Sequence, residues 1–245
     1  MSVKRLYVRA VRQLRPVFDA AGIHQPGPGM RGAKAHLRSL LDVHDADALI
    51  RWDLPWWTYD AVDAVDAFLA SRVNARVFEY GSGASTVWLA RRSGEVHSVE
   101  HDREWAELLR PRLASFSNVT LHEVEAVSSS APRAPSGRRG SKHLDFTDYV
   151  STIEQVGGRF DLVVIDGRAR TSCLAAAARQ ISPDGLVVLD NSRRRRYQGA
   201  LSEGLFAVNR YRGAAPGLPY PDETALLRPA PVQSLPEGRL DESHS

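Results

Sequence analysis

From Arg76 onward, short apolar runs alternate with longer stretches in which apolar positions recur every three or four residues. That texture is β-strands alternating with α-helices. It predicts strands at Arg76–Tyr80, Glu95–Glu100, Val119–Glu123, Phe160–Asp166, Leu186–Asp190, Leu205–Tyr211 and Glu223–Arg228. Helices are predicted at Thr86–Arg92, Arg103–Ser115, Asp148–Val156, Ser172–Gln180 and Tyr197–Gly204. The runs DLVVI (Asp161–Ile165) and LVVL (Leu186–Leu189) lack polar alternation, as strands buried on both faces of a parallel sheet do. Strand–helix–strand alternation implies right-handed crossovers, and so an α/β fold with a doubly wound, mostly parallel sheet.

Ahead of Arg76 the pattern is helical. Val3, Leu6, Tyr7, Ala10, Val11, Leu14, Val17 and Phe18 make one apolar stripe over Met1–Ala21, with Lys4, Arg5, Arg9, Arg12 and Arg15 around it. Such a helix docks its stripe on the domain or on a second subunit of a homodimer, or lies on an anionic membrane surface. The Pro- and Gly-rich Ile23–Gly32 reads as a linker. After Leu54–Pro55–Trp56–Trp57, a second helical stripe runs through Tyr59, Val62, Val65, Phe68 and Leu69. Trp52, Trp56 and Trp57 have two readings, a cover over a ligand site or buried packing. The division expected is an N-terminal helical extension and site cover at 1–75, a ligand-binding α/β domain at 76–228 and a disordered tail at 229–245. Ser128–His143 (SSSAPRAPSGRRGSKH) is also expected to be unstructured, since Ser, Pro, Gly and basic residues cannot bury a core.

Bulk properties add limits. At 245 residues, 43% hydrophobic and 25% charged, the chain suits one α/β domain with extensions. Its single cysteine, Cys173, excludes an intramolecular disulfide and points to a reducing, cytoplasmic setting. Inside a predicted helix, Cys173 reads as core rather than nucleophile. No apolar run approaches the roughly 20 residues that span a bilayer, and no secretory h-region opens the chain. A net charge of +3 is too small to imply nucleic acid. The basic residues are clustered, however, at Arg133, Arg138, Arg139 and Lys142 and again at Arg193–Arg196.

The chemistry concentrates at VFEYGSGAST, Val77–Thr86, the first strand–turn–helix of the sheet and the usual ligand position in such folds. A dinucleotide turn wants Gly at the sixth position of G-x-G-x-x-G, but here that position is Thr86; a Walker loop wants a lysine that is absent. Phosphate is therefore poorly supported at this turn. Glu79, two residues before Gly81, would repel a diphosphate and could hold an ammonium group. Glu100 ends the next strand 19 residues after Gly81, near the spacing at which an acid accepts from ribose hydroxyls. An ammonium, a ribose and no phosphate describe S-adenosylmethionine. Gly81 and Gly83 would let the backbone approach its aminoacyl part, and Ser82, Ser85 and Thr86 offer hydroxyls to its carboxylate.

On the acid-x-Gly-x-Gly turn at Glu79–Gly83, Glu100, FDLVVIDG and GLVVLDNS, the chain from about Trp52 to Arg228 resembles the class I S-adenosylmethionine-dependent methyltransferases. The resemblance implies a Rossmann-like, seven-stranded sheet whose last strand, Glu223–Arg228 here, is antiparallel. Asp166 and Asp190–Asn191 at the ends of the fourth and fifth strands look like the Mg²⁺ ligands of metal-dependent catechol and caffeoyl-coenzyme A O-methyltransferases. Three oxygen ligands suit that hard cation; helix capping and turn formation are the competing reading. That family implies a lysine base where this chain has Ala169. Arg168 and Arg170 flank it but stay protonated, which leaves Asp166, His101, His143 or no base beyond the metal. The reading that emerges is O-methylation of a small or carrier-linked hydroxylated acceptor, which the basic clusters suggest is anionic. Its rivals are methylation of nitrogen or RNA, without any dedicated nucleic-acid module, and a non-catalytic domain that binds S-adenosylmethionine or a partner.

Overall fold

The computed structural model describes residues 13–20, 32–42 and 45–230. Of the predicted N-terminal helix, only its end, α1 (Arg15–Ala20), falls within them. The rest of that helix, most of the linker and the tail beyond Ala230 lie outside the described residues. No helix among the described residues is long and apolar enough to cross a membrane.

Seven strands form the central sheet: β1 (Arg76–Tyr80), β2 (Glu95–Glu100), β3 (Val119–Glu123), β6 (Phe160–Ile165), β7 (Ile181–Leu189), β8 (Phe206–Gly213) and β9 (Asp222–Pro229). Their spatial order is β3-β2-β1-β6-β7-β9-β8. The pairs from β3 to β7 are parallel, and β9 runs antiparallel between β7 and β8. This is the expected doubly wound, mostly parallel seven-stranded sheet with its antiparallel last strand. β7 starts earlier than Leu186 because Phe160 pairs with Ile181 before an irregularity in register.

The two-residue period of the strands explains why both faces are covered. Phe78, Tyr80, Val163, Ile165, Val187 and Leu189 point into one core with helices α7 (Thr147–Val156) and α8 (Arg170–Gln180). Val77, Leu162, Val164, Leu186 and Val188 point into the other. That second core is closed by α3 (Ala46–Trp52), α4 (Tyr59–Ala70) and α5 (Ala84–Ala90). Trp52, Trp57 and Trp88 are buried there, with Trp57 edge-on to Trp88 at 5.8 Å. Trp52 and Trp57 are thus packing residues, and the extension shares a core with the sheet. Two elements escaped the sequence reading: α3, whose Asp45 side chain accepts from the Ala48 N–H, and α2 (Ala33–Ser39), whose Ser39 hydroxyl accepts from the Gly217 N–H. α6 (Arg103–Leu113) matches its prediction but ends two residues early; the predicted helix after Asn191 shrinks to a 3₁₀ turn at Arg195–Tyr197 and α9 (Gln198–Leu201).

Ser128–His143 is a correction. Its ends pair in an antiparallel ribbon, β4 (Val127–Ser128) with β5 (Leu144–Asp145). The Asp145 carboxylate anchors the rest, accepting from the Thr147 hydroxyl at 2.6 Å and from the N–H groups of Arg133, Ala134 and Thr147. Those donors, the Thr147 hydroxyl first, hold its pKa down to about 2. Ala134 and Ser136 are buried. One well-placed acid supplied order that composition alone did not reveal.

Candidate functional site

The chain winds from β1 toward β2, then returns to place β6 on the other side of β1, so the crevice at their carboxyl ends is the switch point of the sheet. Two turns meet there. Gly81 has φ +93°, and a Cβ on it would stand 2.6 Å from the Cα of Gly167. Both the conformation and the contact require glycine.

A cavity of about 250 Å³ opens at this turn. Five of the residues expected to hold the cofactor, Gly81, Ser82, Gly83, Ser85 and Glu100, line it, together with Trp56, His101, Trp105 and Asp166. Glu79 and Thr86 do not line it. The Glu79 carboxylate is enclosed beneath the turn, accepting from the hydroxyls of Ser85 (2.5 Å), Thr86 (2.5 Å) and Ser98 (2.7 Å). Ser98 arrives because β1 and β2 pair in parallel with Glu79 opposite it. The Thr86 hydroxyl also accepts from the Gly83 N–H at 2.9 Å. Here the acid holds the turn, and the hydroxyls of Ser85 and Thr86 are spent on it rather than facing a ligand. Burial raises its pKa to about 7 despite the three hydroxyls.

Glu100 is nearly as buried but differently served. Its carboxylate accepts from the N–H and hydroxyl of Ser82 and from the N–H groups of His101 and Asp102, with the His101 Nδ1 at 2.7 Å. Burial alone would raise its pKa, but His101 and these N–H groups outweigh it and hold the group below its ordinary value. The Trp105 indole donates to the Ser82 carbonyl at 2.9 Å and clamps the turn from α6. Trp105 was missed as a site residue; its place in the first turn of the helix after Glu100 was the available signal.

The carboxyl ends of β6 and β7 carry Asp166, Asp190 and Asn191. The last is left-handed (φ +49°), a conformation Asn tolerates. The guanidinium of Arg170 joins both strand ends. It donates to the Asp166 side chain (2.6 Å) and to the main-chain carbonyls of Asp166, Gly167 and Asp190. Because β9 is antiparallel, its start lies beside the end of β7. The Thr224 hydroxyl donates to Asp190 at 2.9 Å and the Asn191 amide to Asp222 at 2.8 Å. Burial first, and then the charge of Asp166, pushes the Asp190 pKa up to about 8; Asp166 is likewise raised, by burial, against the pull of Arg170.

An Asp–Asp–Asn set offers the oxygen ligands that Mg²⁺ takes. One Asp166 oxygen faces Arg170, one Asp190 oxygen accepts from Thr224 and the Asn191 amide nitrogen donates to Asp222, which leaves the second oxygen of each acid and the Asn191 amide oxygen for a cation. Among the described residues no group of three or more His, Cys, Asp and Glu is arranged to hold a metal. The Mg²⁺ expected on Asp166, Asp190 and Asn191 would share these strand ends with a built-in cation, Arg170, which the bend at Gly167–Ala169 brings back to Asp166 at 2.6 Å.

A second cavity, about 960 Å³, adjoins the first. Trp56, Asp166, Gly167 and Arg168 line both. The larger one is lined also by Arg138, Arg139, Arg170, Arg194 and Arg196. The basic loop and the arginine run thus converge, and Arg196 donates to the Gly137 carbonyl at 3.1 Å. Arg133, Lys142, Arg193 and Arg195 are exposed and do not line it. Ala169 does line it, buried and left-handed (φ +46°), a strained state for alanine. Of the candidate bases, His143 is exposed outside both cavities, and the His101 Nε2 accepts from the Arg168 Nε at 3.1 Å. Cys173 is fully buried, and burial pushes its thiol pKa far up.

Residues 78–192 match a family described as a methyltransferase domain. No curated protein matches the sequence. Among solved structures, the chain is similar to a candidate O-methyltransferase from Klebsiella pneumoniae, at 22% identity over 83% of this chain and 93% of that one, with a TM-score of 0.51. It is similar to a methyltransferase-like protein from Silicibacter pomeroyi at 27% identity, over 71% of this chain and 88% of that one (TM-score 0.46). A candidate methyltransferase from Streptococcus mutans, in complex with S-adenosylhomocysteine, shares 13% identity over 68% of this chain and 96% of that one (TM-score 0.46).

Proposed function

We propose that the protein is a class I methyltransferase that methylates a hydroxyl oxygen of a small or carrier-linked acceptor, using S-adenosylmethionine, a reading supported by the match of residues 78–192 to a methyltransferase-domain family. One observation carries this reading: the cavity at the glycine turn and the larger cavity beside it share a wall, with Asp166 the only acid among the described residues that lines both. When bound, S-adenosylmethionine supplies a methyl group on a sulfonium sulfur.

The residues at the turn suit a nucleoside that carries no phosphate. Gly81 leaves backbone space, Glu100 accepts from a ribose hydroxyl in place of the Ser82 hydroxyl, and Trp105 keeps the turn in position. Trp56, on the shared wall, keeps water from the junction. Arg170 fixes one oxygen of Asp166, so the carboxylate presents the other to the acceptor. Bound at the turn, S-adenosylmethionine would supply its methyl group to the acceptor oxygen and leave as the thioether, and Asp166 would take the hydroxyl proton. A carboxyl whose pKa burial has raised is a better base near neutrality than an ordinary one. Oxygen is favoured over nitrogen because a hydroxyl must shed its proton to attack well, whereas a neutral amine attacks with its own lone pair.

Calorimetric titration with S-adenosylhomocysteine tests the premise. Saturable binding is expected, weakened about 10- to 100-fold in Glu100→Ala, as for losing a hydrogen bond to a charged group. Absence of binding to the folded wild-type protein would end this reading.

A further inference from the structure

We propose that the larger cavity is a phosphate-binding acceptor site, in which Arg138, Arg139, Arg168, Arg194 and Arg196 grip the phosphate of a small phosphorylated or phosphate-linked molecule whose hydroxyl faces Asp166. The inference rests on the proposed methyl transfer for the role of Asp166, but the anion site itself stands on charge and shape. Among the described residues six arginines line the cavity against one acid, and that acid is already paired with Arg170. The other five, Arg168 half-buried and the rest exposed at the rim, have no carboxylate within ion-pair distance among the described residues.

The cost of this crowding is visible at Arg168. Burial, and next the charge of Arg138, pushes its guanidinium down from the ordinary arginine value. Like charges gathered in a recess with no counterion are a standing demand for one, and guanidiniums match phosphate with two-pronged hydrogen bonds. The arrangement is also built in advance. Arg196 is held by the Gly137 carbonyl and stacks 5.0 Å from the Tyr197 ring, which limits the order that binding must impose. Arg138 and Arg139 are delivered by the loop that Asp145 anchors, and Arg194 and Arg196 by the turn after β7.

Shape favours a small molecule over a nucleic acid. The site is a recess of about 960 Å³, at the upper end for drug-sized ligands, rather than a stripe along the surface. Its two aromatics offer no platform for successive bases: Tyr197 is buried beneath Arg196, and Trp56 stands on the wall to the cofactor cavity.

Pyrophosphate is the probe. We expect the full chain to bind it by calorimetry at about 50 mM salt, where screening is modest. The double variant Arg138→Gln/Arg194→Gln should bind at least about tenfold more weakly, the loss expected for two charge-assisted contacts. Arg103→Gln, a 70%-exposed position on α6, should bind as wild type does. S-adenosylhomocysteine titrated into each protein reports both folding and the neighbouring site. Retained S-adenosylhomocysteine affinity with pyrophosphate binding lost in the double variant supports the proposal. Pyrophosphate binding that is absent, or equal in wild type and double variant, overturns it and leaves the methyltransferase reading standing. The reverse, an anion response without S-adenosylhomocysteine binding to any form, keeps the anion site and removes its place in methyl transfer. A short single-stranded RNA that binds more tightly than pyrophosphate and loses affinity in the same double variant overturns the small-molecule choice.

Discussion

The carboxyl ends of β1 and β2 and those of β6 and β7 each gather two acids, all buried but the half-buried Asp166, and hold them in different ways. At the first pair, Glu79 and Glu100 are surrounded by dipoles: three hydroxyls on one, a hydroxyl and three N–H groups on the other, with a histidine beside it. At the second pair, Asp166 and Asp190 lie within each other's field and that of Asp222, and a guanidinium holds the strand ends together. Dipoles hold the Glu100 charge in place without cancelling it, and Glu100, Asp102 and Asp166 line the neighbouring cavity with Arg168. A guanidinium among carboxylates joins a larger field, and around it the other five arginines have no carboxylate within ion-pair distance among the described residues. The difference fits the proposed division of labour, with a sulfonium-bearing nucleoside on one side and an anion on the other.

The largest expected effect breaks the second arrangement. In Arg170→Ala, Asp166 and Asp190 lose their cation while staying enclosed, and breaking such a buried pair costs about 3–5 kcal/mol. Urea unfolding at pH 8 measures it. The loss should shrink at pH 5, where Asp190, its pKa raised to about 8, carries a proton. Equal losses at both pH values would mean that Arg170 works through packing alone. Gly81→Ala breaks the first arrangement. Its Cβ would stand 2.6 Å from the Gly167 backbone at a φ of +93°, so S-adenosylhomocysteine affinity should fall by about 100-fold or more, the scale of a misplaced site. Pyrophosphate binding that survives in Gly81→Ala would show that the two ends act independently.

The pH dependence of stability sharpens the comparison further. Asp190 has a folded pKa of about 8 against an ordinary 3.8, so the folded state keeps a proton that the unfolded chain has lost. Its contribution is complete below about pH 4 and is lost as pH rises toward 8, at up to about 1.4 kcal/mol per pH unit. Glu79, raised from 4.5 to about 7, declines in the same sense over a narrower window. Glu100, held low, acts oppositely: its stabilisation is present above its ordinary pKa and lost on acidification. Unfolding midpoints at pH 5, 6.5 and 8 should therefore fall in wild type and fall less in Asp190→Asn. Parallel curves for the two proteins would remove Asp190 from this account.

The same contrast explains what could be read in advance. The glycine turn and Glu100 belong to a stretch of about 20 residues, within which strand period and acid spacing fix the placement. Even there, the sequence could not tell that the Ser85 and Thr86 hydroxyls turn inward onto Glu79, since that depends on Ser98 arriving from β2. The second site is assembled over long separations. Thr224 and Asp222 reach the end of β7 only because β9 inserts antiparallel between β7 and β8, and Arg138 comes from a segment whose composition reads as unstructured. Asp166 and Asp190 were visible as acids at strand ends; their partners were not. Arg170 was not legible either: it lies two residues ahead of the predicted helix Ser172–Gln180, and the bend at Gly167–Ala169, outside any helix, is what returns it to Asp166.

The smallest effect tests how finely the first site is held. The Trp105 indole contributes one hydrogen bond to the Ser82 carbonyl, and its ring lines the cofactor cavity. Trp105→Phe removes the bond and keeps most of the apolar surface. One neutral hydrogen bond contributes about 0.5–1.5 kcal/mol, so S-adenosylhomocysteine affinity should weaken by roughly 2- to 12-fold. Trp105→Ala removes the ring as well and should weaken it more. Because Ser82 also gives its N–H and hydroxyl to Glu100, a loosened turn would weaken the hold on Glu100 too. In a double-mutant cycle, Trp105→Phe and Glu100→Gln should then be non-additive, whereas Trp105→Phe combined with Asp190→Asn, across the crevice, should add. Strict additivity in both pairs would mean that the clamp and the acid hold the turn separately, and that the network around Ser82 is not the unit that positions the nucleoside.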